Sequence, residues 1–422
     1  MVQPRLPVVG EVRARPRAGL RIAGIVERHP YAVVVAVWAG WVGAVLGVVV
    51  GGVKSGAIAD PLLKWPHVGG SLWPLFTWDY GWYRAVAIFG YPHGQGGPLY
   101  AFFPLWPLVL RASGSIPDWI AAFAVVVAAS GLAFAGVAAA SPSARGWRAA
   151  IVFACWPGSF FLLLAYPDAL AVAAAAWAAA LALRGRPWAA GILGALAAVA
   201  RPTGFLIAIP LALVARASRT GRLFAAAAPV ATALAVHAFF WARSGDALAF
   251  YHAQSLPIWQ RNGPSRLQKW PGHLAHAFDV HAALVIPSAV VATVVVVVVA
   301  RRVGRWYAAG AAYAFAAGLL LLGAQTPQSR IQSAILAVAV PLLGLLWQLG
   351  TRYRPWALFA TAVLAVSFFS GTVTSFARQA LFAFPLYWAV ADGPRPLRHP
   401  LVAVAAVAAN VAYTLTLAKY AP

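Results

Sequence analysis

Acid is scarce in this chain. Nine Asp and Glu stand against 32 Lys and Arg in 422 residues, a formal charge of +23. Charged residues of both signs make up only 10 % of the sequence, too few to cover a soluble domain of this length. Cysteine is all but missing. Cys155 stands alone, which excludes an internal disulfide and any Cys-based metal site, and its run "IVFACWPG" reads as small-residue core. No stretch is both long and polar, so one integral unit is expected rather than several domains. Lys is rare beside Arg, and Ala and Val abound. That bias points to a GC-rich bacterial genome, and so to a plasma membrane.

What is present is apolar. Hydrophobic residues make up 62 % of the chain. Runs such as "AAFAVVVAASGLAFAGVAAA" from Ala121 and "AALVIPSAVVATVVVVVVA" from Ala282 are about long enough to cross a ~30 Å hydrocarbon core as helices. The fold class expected is therefore an all-α polytopic membrane protein. Residues 1–30, rich in Arg and Pro, read as a cytoplasmic tail, and 31–422 as the integral domain. The run Tyr31–Gly51 has a signal-peptide alternative, since "AIAD" follows it. About 20 apolar residues exceed a typical signal core, and a retained first span is preferred.

Basic clusters at "SARGWR", "RGRP", "RASRTGR", "RRVGR", "TRYR" and "GPRPLRH" orient the chain by the positive-inside rule and give about 13 crossings. Because the basic residues fall between spans, topology accounts for them better than a nucleic-acid partner does. Some crossings are short. Trp188–Ala200 and Gly204–Val214 must be broken or half-length helices, which are tolerated where they border a cavity. The outer face then carries two large loops, roughly Gly52–Asp118 and Arg243–His281, and short turns at "AYPD", "RPTG", "QTPQSR" and "VTSFARQ".

The acids divide unevenly across this topology. Glu11, Glu27 and Asp392 fall on the cytoplasmic side, while Asp60, Asp79, Asp118, Asp168, Asp246 and Asp279 lie on or near the outer face. Carboxylate chemistry therefore belongs outside. Asp79 stands in "PLFTWDYGWYRAVAIFGYP", where Gly81–Phe89 reads as a short helix, followed by a second apolar stretch, Ala101–Arg111. Both are expected to lie at the interface, anchored by Trp and Tyr. By spacing alone Asp79 reads equally as a helix cap and as a reactive carboxylate. Asp168 and Asp246 have the same capping alternative.

Arg201, Arg330 and Arg378 each sit in a short outer turn. Such residues are ordinary snorkelling cations, yet arginine is also the natural fork for a phosphate. The spacing His273–His276 is a weak metal signal, and no metal or other cofactor is demanded.

"WDYGWYRAVAIFGYP" followed by "YAFFPLWPLVLR" resembles the first outer loop of PIG-V-like mannosyltransferases of the glycosyltransferase C superfamily, relatives of the second mannosyltransferase of GPI-anchor assembly. The stretches "LLLAYPDALAV", "ARPTGFLIAIPLAL", "SGDALAFYHAQSLPIW" and "SFARQALFAFPLYWAVAD" follow in family order, and the likeness runs from Tyr31 to about Asp392. Two departures touch the motifs. The family's Tyr-Ser-Glu is Tyr166-Pro167-Asp168 here, and its late Arg-Tyr is Arg378-Gln379.

The resemblance implies a polyprenyl-phosphate-sugar-dependent glycosyltransferase acting on the outer face, with mannose as the expected sugar and inversion at its anomeric carbon. The acceptor is a lipid, glycan or protein in the cell envelope. Asp79 is then the expected catalytic base and Asp168 a sugar- or acceptor-positioning group. Arg378 is expected on the lipid phosphate, with Arg201 and Arg330 as further candidates. Trp78, Trp82 and Tyr83 are candidate sugar platforms, and His252 and Gln254 candidate lining of the donor pocket. The rival class is a lipid or small-molecule transporter or flippase, which needs polar groups along a path through the spans. Here only His237 and Asn410 stand apart from the outer face.

Overall fold

The computed structural model describes residues 29–59, 68–143, 145–214, 218–259, 327–369 and 376–393. Most of the N-terminal tail and the end of the second outer loop lie outside these residues, with Asp60, Asp279 and the pair His273 and His276. Arg330 falls in a described helix, but its side chain lies outside the description.

Every regular element among the described residues is helical. Among the described residues three helices are long and apolar enough to cross a membrane: α1 (Pro30–Lys54), α4 (Asp118–Ala139) and α9 (Arg219–Ser244). Shorter helices accompany them: α2 (Asp79–Phe89), α3 (Leu105–Arg111), α5 (Gly146–Cys155), α6 (Asp168–Leu183), α7 (Pro187–Ala200), α8 (Ala208–Val214) and α10 (Ala249–Ser255). The later ones are α11 (Pro327–Gln348), α12 (Arg354–Phe369), α13 (Phe376–Ala380) and α14 (Pro385–Asp392). Together they make a membrane-embedded helical protein, with α5 to α8 too short to span as single regular helices.

Small residues set the packing. Helices α4, α6, α7 and α9 lie side by side in that order. Helix α6 buries Ala on nearly every side, and Gly136 of α4 admits Trp177 and Ala176 of α6. Gly191 and Gly194 of α7 receive Phe224 and Pro229 of α9. Apolar surface alone cannot drive helices together in lipid, so close backbone approach over small residues does. Two tryptophans of α1 bond across the helices: the indole N–H of Trp38 donates to Ser130 Oγ and that of Trp41 to Ser159 Oγ, both at 2.9 Å.

Three short apolar segments differ from expectation in detail. Helix α2 opens at Asp79, not Gly81, because a hydroxyl from another segment takes the Asp79 N–H, as described below. The stretch Ala101–Arg111 is not one helix. A 3₁₀ turn, Pro98–Ala101, is followed by extended Phe102 and then by α3, whose N-cap is Pro104. A residue preceding proline is biased away from helical backbone. Residues Gly204–Val214 likewise divide into a 3₁₀ turn, Pro202–Ile207, and α8.

Candidate active site

Four chain segments meet at one point: the start of α2, the start of α6, the turn after α7, and α13. Asp79 and Asp168 are the first residues of α2 and α6. Neither caps its helix. The N-cap positions are Trp78 and Pro167, and no side-chain capping bond forms at either end. Both carboxylates are directed instead to arginines, while their place in the first turn suits the positive end of the helix dipole.

Asp168 is fully buried, and both of its oxygens are taken. Arg378 Nε donates to Oδ2 at 2.9 Å, and Arg201 Nη1 donates to Oδ1. Arg378 also donates through Nη1 to Asp79 Oδ2. Two carboxylates and two guanidiniums thus form one chain, Arg201–Asp168–Arg378–Asp79. A buried charge is tolerable only when paired in this way.

Tyr166 holds the assembly from beneath. Its hydroxyl accepts the Asp79 backbone N–H at 3.1 Å and donates to the Thr77 carbonyl at 2.9 Å. The first bond satisfies one of the orphan amides of a helix start, which is why α2 begins at Asp79. Burial pushes the Tyr166 hydroxyl well above its ordinary value, so it remains a neutral donor. The Arg378 guanidinium lies 4.5 Å from the Tyr166 ring centroid, a cation–π contact. Between Thr77 and Asp79 the backbone is bent. Trp78 has φ 53°, and it alone among the described non-glycine residues takes a positive value. Such strain persists where surrounding contacts over-determine it, as the two Tyr166 bonds do here. Gly158 admits α13 at close range, since a Cβ there would stand 2.7 Å from the Ala377 carbonyl oxygen, next to Arg378.

A cavity of about 660 Å³ opens on this cluster. Asp79, Arg201 and Arg378 line its polar end, and Phe102, Phe103, Phe250, Tyr251 and Trp259 give it aromatic walls. Tyr83 lines it too, its hydroxyl pushed up to about 12 by burial. Gln254 borders the cavity with Nε2 fixed on the Ala101 carbonyl at 3.0 Å, and its Oε1 is buried with no partner among the described residues.

The remaining candidates are placed elsewhere. Trp82 stands behind the aromatic wall, stacked on Phe102 with centroids 6.2 Å apart and edge-on to Trp259 at 5.2 Å. Trp78 packs against the core with its indole N–H unpartnered. His252 faces away from the cavity: its Nδ1 lies 2.7 Å from Asp246 Oδ2, with the imidazole largely exposed. Asp246 also caps the following turn through the Leu248 N–H at 2.9 Å. That hydrogen bond with His252 holds the Asp246 carboxyl below its usual range.

Sequence reasoning did not single out Phe250, Tyr251 or Trp259 as lining, although all three stand within "SGDALAFYHAQSLPIW". Nor did it give Tyr166 a role; its signal was its place beside Asp168 in the "AYPD" turn. Among the described residues no three of His, Cys, Asp and Glu converge as metal ligands.

The arrangement can place a hydroxyl against a carboxylate and an anion against guanidiniums within one partly enclosed space. Comparison of the chain with protein-family models, with curated proteins and with solved structures returns no match.

Proposed function

We propose that this chain is a membrane glycosyltransferase that moves a sugar, mannose by resemblance, from a polyprenyl-phosphate donor to an acceptor hydroxyl on the extracytoplasmic face of a plasma membrane. The observation that carries the reading is the meeting of Asp79, Arg201 and Arg378, from distant segments, on one cavity beside apolar helices. The resemblance of the "WDYGWY" and "FFPLWP" segments to PIG-V-like enzymes supports it. So does the basic clustering, from which the positive-inside rule leads us to expect about 13 crossings with the site outside.

The acceptor hydroxyl attacks the anomeric carbon while Asp79 accepts its proton. The bond to the phosphate oxygen breaks, the polyprenyl phosphate departs as an anion on Arg378 and Arg201, and the configuration inverts. One carboxylate suffices, because a phosphate leaving group needs no proton; a glycosidase needs two placed carboxyls. Preformed guanidiniums stabilise the charge that develops on the leaving group. Asp168, with both oxygens committed to arginines, orients those cations rather than touching sugar. The aromatic walls, Tyr83 among them, suit the faces of a pyranose and the first isoprene units.

Purified protein in vesicles, supplied with polyprenyl-phosphate-mannose and a crude envelope lipid extract, is expected to transfer labelled mannose to that extract. Movement of lipid across the vesicles without turnover of any polyprenyl-phosphate sugar would establish the transporter class instead.

A further inference from the structure

We infer that Asp79 and a phosphate anion compete for the guanidinium of Arg378, so that arrival of the donor phosphate itself releases the Asp79 carboxylate for the acceptor. The inference rests on the glycosyl-transfer reading and adds a step to it: the donor phosphate frees the Asp79 oxygen that Arg378 holds.

The two carboxylates that hold Arg378 are not equivalent. Asp168 has 1 % of its side chain exposed and is held twice, by Arg201 and by Arg378. Asp79 has 26 % exposed, faces the cavity, and is held once, through Oδ2. An anion entering the cavity meets Asp79, not Asp168. Displacing Asp168 would leave a charge uncompensated in the interior, which is far more costly than freeing a carboxylate that already touches the cavity. A phosphate also offers several oxygens to the planar fork of a guanidinium, where Asp79 offers one bond.

The surroundings keep both partners in place during the exchange. Arg378 remains on Asp168 through Nε and on the Tyr166 ring. Asp79 remains anchored through its backbone N–H on the Tyr166 hydroxyl. Only the Arg378–Asp79 contact has to open. Arg201, Asp168, Arg378 and Asp79 carry two charges of each sign. With a phosphodiester monoanion added, the site carries one net negative charge, and it keeps that charge through the transfer, because Asp79 gains the hydroxyl proton as the leaving phosphate becomes a dianion. With no donor bound, Arg378 holds Oδ2 of Asp79, and the exchange frees that oxygen for the acceptor's proton.

Removing the competitor should tighten anion binding. Polyprenyl phosphate without sugar is titrated into the protein in lipid nanodiscs, with tryptophan fluorescence as the signal. Asp79→Asn is expected to bind it about fivefold more tightly than the parent, the scale of one partly exposed ion pair. Asp79→Ala, which removes the same charge with a smaller side chain, gives a second reading if the first variant is poorly folded by thermal unfolding. Equal or weaker binding by both variants overturns the exchange while leaving glycosyl transfer standing. Binding by neither parent nor variants overturns both readings. Inorganic phosphate is the control arm. If it shows the same tightening at an affinity equal to that of the lipid, the exchange holds but belongs to a soluble anion. If the variants bind more tightly yet the parent transfers no sugar, the exchange holds and the glycosyl-transfer reading fails.

Discussion

Asp392 and Asp168 both tie distant segments together, and they differ in what they hold. Asp392, at the end of α14, accepts from Ser143 Oγ at 2.7 Å and from the Tyr353 hydroxyl at 2.9 Å. Asp168 accepts from two arginines, at a junction that also includes a second carboxylate and a cavity. The two junctions lie toward opposite ends of the helix stack. Ser143 follows the C-terminus of α4, and Asp118, at its N-terminus, pairs with Arg84 of α2, the helix that Asp79 opens. A helix of 22 residues separates those ends, about 33 Å at 1.5 Å per residue. Among the described residues, the Asp392 cluster is closed on itself by two neutral hydroxyls. The Asp168 cluster is open, since its arginines line a cavity with a carboxylate beside them. Filling a carboxylate makes a staple, and leaving charged partners at a cavity wall makes a site.

Breaking Asp168 should show the largest effect. Asp168→Asn removes a buried anion from between two guanidiniums and is expected to cost about 3 kcal/mol in stability, measured by unfolding in lipid. Donor affinity should fall with it, because Arg201 and Arg378 lose their common anchor. Asp392→Asn should leave turnover untouched. Loss of turnover there with the fold intact would contradict the contrast between staple and site.

Tyr166→Phe comes next. The ring under Arg378 survives, but the Asp79 N–H and the Thr77 carbonyl lose their partner, at about 2 kcal/mol. The expected signature is a fall in kcat of roughly tenfold with KM for the donor little changed, since Asp79 is loosened and the arginines are not. A raised KM with normal kcat would place Tyr166 in phosphate binding instead.

The smallest effect is expected at the closed cluster. The Tyr353 hydroxyl, pushed up to about 12 by burial with Asp392 adding to it, donates one bond. Tyr353→Phe should cost about 1 kcal/mol and leave transfer at the parent's rate.

Much of this site was legible in the sequence, for a specific reason. In a chain so poor in acid, each carboxylate next to an apolar run and each arginine in a short turn is conspicuous. Asp79, Arg201 and Arg378 stand out on that ground before any contact is known, and the apolar runs reveal a membrane-embedded helical protein. Partnership was not legible. Asp168 finds Arg378 across 210 positions, and no local pattern encodes that. The direction in which a side chain points within a short loop helix was equally hidden. His252 and Gln254 stand two residues apart, yet one faces Asp246 and solvent while the other borders the cavity. The bend at Trp78 is also silent in the sequence. A left-handed backbone usually announces itself through Gly or Asn, and here bonds from a distant tyrosine impose it.

The central claim is that Asp79 takes the acceptor's proton, and transfer of labelled mannose from polyprenyl-phosphate-mannose by Asp79→Asn tests it most directly. With thermal unfolding like the parent's and donor still bound, the variant is expected to lose at least about 100-fold in rate, the scale of a missing general base. Transfer at the parent's rate by a folded Asp79→Asn protein would contradict the account.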